Sequence, residues 1–356
     1  MPSKMRRFEI VKTQDGSLGL YNNEFNDVYH SKFGAYTESI EKFITPSNLA
    51  EFAQNNDNIR ILDICYGIGY NTKSAIQSVI KANKDVNLSI DAIEPDQELV
   101  FFSALTGSST YEDDINLKIG YEIIKQRDKF TLEIDKDFLE QFGQYCHPYA
   151  ADKFIELFYT YTNTPISDLF ALLHNIYYHS ISNSYKKPSN AFKYNNISLN
   201  WYFEDARKTV QALKGQYDFI FLDAFTPSIM PSLWSYEFFT ELYRLISPSG
   251  MFVTYSSAAP VRSALINAGF NIGKIIDTHG KSIGTTAAKD SNLIRLPLSD
   301  EEKGLLETKA GICYKDKGLN LSDECILENY RLEKLNSKRA SSSSYMRKIG
   351  AKTCMI

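Results

Sequence analysis

The chain has 356 residues, a net charge of −4, and 43% hydrophobic and 23% charged residues. The composition is ordinary for a globular protein. The negative net charge excludes a positive electrostatic potential over the whole molecule, so any contact with nucleic acid must use a local basic patch. Five scattered cysteines without a CxxC pair argue against a disulfide framework or a metal site and favour a reducing, cytoplasmic location. The basic N-terminus is not expected to be a signal peptide, and no segment approaches the roughly 20 apolar residues of a membrane helix.

Residues 1–58 are predicted to form an N-terminal extension. The segment FEIVKTQDGSLGLYN predicts two short strands joined by the turn formers Asp15, Gly16 and Ser17. The next segment, EFNDVYHSKFGAYTESIEKFI, acquires the apolar spacing of a helix towards its end.

From residue 59 onwards, strands and helices alternate. IRILDIC and LSIDAIE predict strands, and each is followed by a predicted helix, at residues 70–84 and 96–105. Further strands are predicted at ISLNWYFEDA, YDFIFLDAF and GMFVTYSS, while FNIGKIIDTHG and SIGTTAAK predict an antiparallel pair at the sheet edge. The alternation predicts a parallel sheet with right-handed crossovers. We therefore expect an α/β, Rossmann-like core over residues 59–135 and 191–296.

Two segments interrupt or follow this core. Residues 136–190 are rich in aromatic residues at helical spacing and predict an inserted helical subdomain, since connections within such a sheet are normally short. Its aromatic stripe indicates a small core, and a base-stacking platform is the alternative. Residues 297–356 predict a polar C-terminal tail that is loosely packed or disordered. A cluster of basic residues between 331 and 352 is either a solvated surface or a contact for phosphate groups.

Three features at the ends of predicted strands indicate a nucleoside-binding crevice. After the first strand, DICYGIG opens a helix, and Gly67 and Gly69 would let a ligand approach the backbone closely. Glu94 ends the second strand, where an acid can accept hydrogen bonds from both ribose hydroxyls. Asp205 ends the next strand and could accept a hydrogen bond from an adenine amino group. Each acid alone is more often a helix cap or a surface charge, but the three in this order favour a nucleoside site.

The pattern favours S-adenosylmethionine (SAM) as the cofactor. A nicotinamide dinucleotide normally requires GxGxxG, and Thr72 occupies the third position of that pattern here. A Walker lysine–serine motif is also missing from the sequence. SAM has no phosphate and needs only a ribose acid, an adenine acid and a backbone cradle.

The segment YDFIFLDAFTP, residues 217–227, carries the strongest chemical signal. Four consecutive apolar residues predict a strand buried on both faces, as in a parallel sheet. The strand leads into a turn with Asp223, Phe225 and Pro227, at the edge where ligands bind in open α/β sheets. An acid and an aromatic residue there can hold, orient and deprotonate an amine. The alternative is that Asp223 is the N-cap of a following helix.

These residues resemble the methyltransferase component of the bacterial MnmC-type tRNA-modifying enzymes, in its stand-alone form. The resemblance rests on DGSLGLYNNEFNDVYHSKFGAYTES, YGIGYN and YFEDA, and on the long segment that begins with YDFIFLDAFTPSIMPSLW. KAGICYKD also looks like a segment of the stand-alone proteins. The match covers most of the chain outside residues 110–190 and implies a seven-stranded, SAM-dependent methyltransferase fold.

The resemblance implies a reaction and a set of site residues. The reaction is SAM-dependent methylation of the aminomethyl group on the wobble uridine of tRNA, with a separate FAD-dependent oxidoreductase as the partner that makes the precursor amine. The implied cofactor-binding residues are Asp63, Gly67, Gly69, Asn71, Glu94, Asp205 and, from the N-terminal extension, Glu38. Asp223 is implied as the catalytic residue beside the transferring methyl group, with Phe225 and Pro227 on the substrate side. Tyr29, His30 and Tyr255 are further candidates for the pocket.

Two departures from the family pattern keep alternatives open. Cys65 stands where the family usually has glycine, which would narrow the cradle, and HGKSIGTT replaces a more basic stretch, leaving only His279 and Lys281. One alternative is a small-molecule amine N-methyltransferase or an aminopropyltransferase that resembles spermidine synthase. The other is a non-catalytic module that only binds the nucleoside.

Overall fold

The structure is a computed structural model that describes residues 8–23, 27–29, 34–104, 113–130 and 196–350. The chain divides into two compact units. The first unit comprises Met1–Ile59 and Cys65–Phe203, and the second comprises Arg60–Ile64 and Glu204–Ile356. The predicted helical insertion, residues 136–190, lies outside the described residues.

Two sheets are present in the described part of the chain. A three-stranded sheet has the order β1-β2-β3, and a seven-stranded sheet has the order β6-β5-β4-β7-β8-β10-β9. The strands are β1 (Phe8–Lys12), β2 (Leu18–Asn22), β3 (Asp27–Val28), β4 (Asn58–Ile64), β5 (Asn87–Ile93), β6 (Ile197–Tyr202), β7 (Tyr217–Leu222), β8 (Ile246–Thr254), β9 (Asn271–Ile276) and β10 (Ser282–Ala288).

The described residues also form helices, which lie before, between and after these strands in the chain. They are α1 (Ala35–Ser39), which continues as a π-helical turn (Ile40–Ile44), α2 (Thr45–Ser47), α3 (Leu49–Gln54), α4 (Tyr70–Ala82), α5 (Gln97–Ser103), α6 (Asp113–Lys125), α7 (Ala206–Ala212), α8 (Tyr236–Leu245), α9 (Ala259–Asn267), α10 (Asp300–Leu306), α11 (Asp323–Asn336) and α12 (Ser342–Lys348). Short 3-10 turns lie at Arg127–Lys129, Pro231–Trp234, Ser291–Leu293 and Lys309–Gly311.

The predicted α/β fold is confirmed. Strands β5 and β6, β4 and β7, and β7 and β8 pair in parallel, whereas β10 runs antiparallel to both β8 and β9. The predicted antiparallel pair at the sheet edge is therefore β9 and β10. The chain order of the strands changes direction between β4 and β7. In open α/β sheets such a switch point is where ligands bind, beyond the carboxyl ends of the strands.

The N-terminal hairpin is fixed by a hydrogen-bonded carboxylate, within the first unit. Asp15 lies in the turn between β1 and β2, and it accepts hydrogen bonds from the backbone N–H groups of Ser17 (3.0 Å) and Thr37 (2.9 Å) and from the Thr13 hydroxyl (2.8 Å). The Tyr70 hydroxyl of α4 accepts from the backbone N–H of Leu18 at 2.9 Å. These hydrogen bonds join the hairpin, which contains the DGSLGLY segment, to α1, which contains YTES, and to α4.

The Asp15 carboxylate is expected to make stability depend on pH. Burial alone would raise the pKa of Asp15, but the hydrogen bonds from Ser17, Thr37 and Thr13 outweigh it and lower the pKa to about 2. Because the folded pKa lies below the unfolded value of about 3.9, this contribution is present above pH 4 and is lost as the pH falls from about 4 to 2. We expect Asp15→Asn to lower the free energy of unfolding by about 2 kcal/mol at pH 6 and by much less near pH 2.5.

Urea unfolding of the wild type and the variant across this pH range measures the effect. Asp85→Asn is the control, since Asp85 is an exposed acid of the same unit, and its effect should stay within about 0.5 kcal/mol at every pH. An Asp15→Asn effect of equal size at pH 2.5 and pH 6 would contradict the assignment.

The expectation of a loosely packed C-terminal tail is wrong for residues 297–350. Helix α10 begins with a capping box between Ser299 and Glu302, and Leu306, Tyr314 and Ile326 are buried. The backbone carbonyl of Tyr314 accepts a hydrogen bond from the N–H of Tyr236 at the start of α8 (3.0 Å). The segment is polar on its surface, but it contributes apolar side chains to the core of the second unit. We call residues 297–350 the C-terminal segment.

Within the described residues, no helix combines the length and the apolar composition that crossing a membrane requires.

Candidate active site

The loop after β4 adopts the backbone geometry that a close approach to a ligand requires. Cys65, Gly67 and Gly69 all have positive φ angles, of 63°, 56° and 80°. A Cβ atom on Gly69 would lie 2.5 Å from the hydroxyl oxygen of Tyr66, so only glycine fits there. A Cβ atom on Gly67 would lie 3.6 Å from Cδ1 of Tyr29, which places this tyrosine of the N-terminal extension beside the loop.

Cys65 is the non-glycine residue of this loop with a left-handed backbone. This conformation costs an L-residue about 1–2 kcal/mol, and part of that cost is offset because glycine has more freedom in the unfolded chain. We expect Cys65→Gly to raise the free energy of unfolding by about 0.5–1 kcal/mol. Cys65→Val should lower it by more than about 1 kcal/mol, because a β-branched side chain is the least tolerant of positive φ.

Urea denaturation of the two variants beside the wild type tests this prediction, with the slope of the transition checked for constancy. A Gly variant that is less stable than the wild type would mean that packing of the thiol outweighs the backbone strain.

Glu94 contacts the glycine loop directly. This buried carboxylate follows β5, and its Oε2 accepts a hydrogen bond from the backbone N–H of Gly67 at 2.9 Å. Its Oε1 accepts from the N–H of Asp96 at 3.0 Å, and Asp96 in turn caps α5. The structure thereby brings together the predicted ribose acid and one of the predicted cradle glycines.

The other predicted residues of the first unit lie in α4 and α1. Asn71 is buried in the first turn of α4, directly after the loop. Glu38 lies in α1 and forms an ion pair with Lys42 one turn later. His30 lies outside the described residues.

In the second unit, Asp63 and Asp223 stand on the two strands that flank the switch point. Asp63 is fully buried near the end of β4, in register with Phe221 of β7. Asp223 follows β7, and its backbone N–H donates to the carbonyl of Ile64 at 3.2 Å. Asp223 is partly exposed, and the next helical turn starts only at Pro231. The alternative that Asp223 caps a helix is therefore wrong.

The turn that carries Asp223 is held by two side chains. The Tyr255 hydroxyl donates to the carbonyl of Ala224, and the Trp234 indole N–H donates to the carbonyl of Phe225, both at 2.8 Å. The two rings also meet edge to face, with centroids 5.9 Å apart. Tyr255 is thus bound to the turn by its hydroxyl, and Phe225 and Pro227 are partly exposed within it.

Asp205 is both a helix cap and a member of an ion-pair network. Its Oδ1 accepts from the backbone N–H of Arg207 at 2.9 Å, which caps α7. The Arg207 guanidinium reaches both carboxylate oxygens, with Nη2 at 2.7 Å from Oδ2. Burial raises the pKa of Asp205, but the hydrogen bonds from Arg207 outweigh it, so the pKa lies below its ordinary value.

Sequence reasoning missed Arg207 and Trp234. Arg207 sits two residues after a predicted site acid, which is a weak local signal, and its further partner Asp316 is distant in the chain. Trp234 belongs to the PSLW segment, and a buried tryptophan normally needs a partner for its indole N–H. That rule could have indicated a contact with a nearby turn, although not which one.

The residues present fit SAM. Among the described residues, the Cβ position of Gly67 meets only a ring carbon of Tyr29, at 3.6 Å, so there is space beside this glycine. Within the first unit, Glu94 supplies a carboxylate beside this backbone. Within the second unit, Asp205 is a further carboxylate whose side chain is 35% exposed. Carboxylates are the groups that accept hydrogen bonds from ribose hydroxyls and from an adenine amino group.

Comparisons with known proteins agree with this chemistry. Residues 168–290 match the model of a family described as S-adenosyl-L-methionine-dependent methyltransferase. An uncharacterized protein of Methanocaldococcus jannaschii is 29% identical over 340 residues, which cover 95% of this chain and 76% of that protein. The tRNA 5-methylaminomethyl-2-thiouridine biosynthesis bifunctional protein MnmC of Paraburkholderia xenovorans is 37% identical over 84 residues, which cover 24% of this chain and only 13% of the MnmC protein.

The crystal structure of MnmC2 from Aquifex aeolicus shares the fold, with a TM-score of 0.66 and 24% sequence identity. The match covers 94% of this chain and 87% of that one.

The chain is an S-adenosyl-L-methionine-dependent methyltransferase, and SAM is its cofactor, as the sequence predicted. The similarity to MnmC proteins confirms the resemblance noted in its sequence.

Proposed function

We propose that this methyltransferase transfers a methyl group to the nitrogen of an aminomethyl group on the wobble uridine of tRNA. The observation that carries the proposal is the position of Asp223. It is a partly exposed acid at the switch point of the sheet, in a turn held by two side chains, and it does not cap a helix. The similarity to MnmC proteins, whose name specifies tRNA 5-methylaminomethyl-2-thiouridine biosynthesis, supplies the substrate class.

In this proposal the cofactor is held by residues that end or follow three strands, β4, β5 and β6. Glu94 receives the ribose hydroxyls and Asp205 the adenine amino group. The backbone around Gly67 and Gly69, with Asn71, lines the methionine end. Asp63 supports this end from β4. Glu38 of α1 contributes from the N-terminal extension, together with Tyr29, which lies beside Gly67. When bound, SAM supplies an electrophilic methyl group on a sulfonium ion.

Asp223 prepares the amine for methylation. An alkylamine is protonated at neutral pH and cannot act as a nucleophile until it loses a proton. The Asp223 carboxylate holds the ammonium group by a charge-assisted hydrogen bond and accepts its proton. Tyr255 and Trp234 keep the backbone of the turn in place, so that the amine is held in one orientation, which itself lowers the barrier. Phe225 offers a π-face to the cationic group, and Pro227 stiffens the turn.

Exposed cations of the C-terminal segment fit a phosphate backbone. Lys338, Arg339, Arg347 and Lys348 are exposed, and within the described residues none of them forms an ion pair. Helix α12 is held against α10, with the Tyr345 hydroxyl donating to the carbonyl of Glu301 at 3.3 Å. His279 and Lys281 add exposed basic groups in the β9–β10 turn. These groups support tRNA as the substrate. With that substrate, the proposal includes a cytoplasmic site of action and, from the similarity to MnmC proteins, a separate FAD-dependent oxidoreductase as the source of the amine.

Methyl transfer from radiolabelled SAM to tRNA tests the proposal. The tRNA is taken from cells in which the aminomethyl group is formed but not methylated, and the digested nucleosides are identified by mass spectrometry. We expect label on the aminomethyl nucleoside and none on fully modified tRNA. Transfer to spermidine or putrescine but not to tRNA would favour the small-molecule enzyme, and SAM binding without any transfer would favour a non-catalytic module. Either result would overturn the proposal.

A further inference from the structure

The C-terminal segment reaches the predicted adenine acid through one arginine. Arg207 Nη1 donates to Oδ2 of Asp316 at 2.8 Å and to the carbonyl of Leu321 at 2.7 Å. Asp316 is fully buried, and its Oδ1 accepts from the backbone N–H groups of Asn320 (3.0 Å) and Leu321 (2.9 Å). The N–H of Asp316 donates to Glu237 of α8 at 2.7 Å. Asp316 is therefore held rigidly, and it fixes the far side of the guanidinium.

The near side of the guanidinium fixes Asp205. Arg207 Nε lies 3.1 Å from both carboxylate oxygens of Asp205, and Arg207 Nη2 lies 2.7 Å from Asp205 Oδ2. Together with the backbone N–H of Arg207, three donors therefore hold the carboxylate in one orientation. The Asp205 side chain is nevertheless 35% exposed, so a ligand amino group can approach it.

We propose that Arg207, anchored by Asp316, is a positioning residue that orients the Asp205 carboxylate to accept the amino group of adenine in SAM. The inference rests on the assignment of Asp205 in the proposed function. It gives the C-terminal segment a part in cofactor recognition, although the segment follows the seven-stranded sheet in the chain. Because a planar guanidinium can hold both oxygens at once, lysine would not replace it.

The test measures binding of S-adenosylhomocysteine and of its analogue in which the 6-amino group of adenine is replaced by hydrogen. Calorimetry with the full-length protein gives both affinities, and their ratio reports the hydrogen bond to the amino group. We expect Asp205→Asn, Arg207→Lys and Asp316→Asn each to reduce the wild-type preference for S-adenosylhomocysteine, by about three- to tenfold. Asp316→Asn keeps the acceptor for Asn320 and Leu321, so it is the variant most suited to retain the fold.

Two controls separate positioning from general damage. Glu333→Gln removes a carboxylate of the same segment that forms an exposed pair with Lys315 (2.7 Å), and it should leave both affinities unchanged. In the Asp205→Asn background, Asp316→Asn should cause no further loss of preference, because the two changes act through one carboxylate.

The outcomes distinguish this inference from the proposed function. If Asp205→Asn reduces the preference but Asp316→Asn and Arg207→Lys do not, the positioning role is overturned and the adenine assignment stands. If the variants weaken both ligands equally, or if Asp316→Asn has its full effect without Asp205, the network is only structural and the inference fails. If Asp205→Asn itself leaves the preference unchanged, the adenine assignment fails, whichever substrate receives the methyl group.

Discussion

Replacing Asp223 by asparagine is expected to reduce methyl transfer at pH 7 by a factor of about 10²–10⁴, the contribution typical of a positioned acid or base. Asparagine has nearly the same shape, so the backbone hydrogen bonds from Asp223 N–H to Ile64 and from Tyr255 and Trp234 to the turn can persist. An amide, however, cannot accept the proton of an ammonium group or neutralise its charge. The loss should therefore appear in kcat, while the affinity for SAM stays within about twofold of the wild type.

The pH profile separates the loss of a base from a loss of position. Without Asp223, the enzyme depends on the small fraction of amine that is already unprotonated in solution, and this fraction rises about tenfold per pH unit below the pKa of the amine. The rate of the Asp223→Asn enzyme should therefore recover partly as the pH is raised, with a steeper slope than that of the wild type.

Tyr255→Phe is the matched control for geometry. It removes the hydrogen bond of 2.8 Å to the carbonyl of Ala224 and leaves Asp223 in place. A single hydrogen bond of this kind is worth about 1 kcal/mol, so we expect a loss of about fivefold without a change in the shape of the pH profile. An Asp223→Asn enzyme that keeps more than a fifth of the wild-type rate at pH 7 would refute the role of Asp223.

The sheet and the glycine loop could be predicted because their signals are local. Continuous apolar runs such as FIFL indicate buried parallel strands, and the glycines of DICYGIG stand directly between a strand and a helix. The turn formers Asp15, Gly16 and Ser17 likewise mark the hairpin between β1 and β2. In each case the residues that determine the local structure are neighbours in the chain.

The C-terminal segment differs from its prediction because polar composition is a weaker signal of packing than the capping residues of its helices. Its mean polarity suggested loose packing, yet Ser299 and Glu302 stand at the spacing of a capping box, and Ser322 precedes two acids at the start of α11. These signals were present in the sequence. What was not readable is where the segment packs, since the contact between Arg207 and Asp316 joins residues more than a hundred positions apart.

The roles of single acids also depend on contacts that a sequence does not contain. Asp223 and Asp205 looked alike as acids that follow a strand, and either could have been a helix cap. In the structure Asp205 caps α7 and is also held by Arg207, whereas no helix follows Asp223 closely enough to be capped by it. An acid that follows a strand can cap a helix only if a helix begins directly after it, and the acid itself does not reveal this.

Replacing Glu94 by glutamine is expected to weaken SAM binding by a factor of about 100, because up to two hydrogen bonds to a charged acceptor are lost. In the structure each carboxylate oxygen accepts one backbone N–H, from Gly67 at 2.9 Å and from Asp96 at 3.0 Å. Glutamine offers one acceptor oxygen, so its amide NH₂ must face the other N–H group. The side chain would then turn away or push the glycine loop out of place, and in either case the ribose loses its acceptor.

Because the defect lies in binding, saturating SAM should restore most of kcat, in contrast to Asp223→Asn. Glu98→Gln removes the same charge at the start of α5 without touching Gly67, and it should change the affinity for SAM by less than about twofold. Calorimetric titration with S-adenosylhomocysteine measures both variants, and thermal unfolding without ligand shows whether Glu94→Gln is folded. A folded Glu94→Gln protein with wild-type affinity would mean that Glu94 serves only to tie the loop between β4 and α4 to the start of α5, and that the ribose is held by another group.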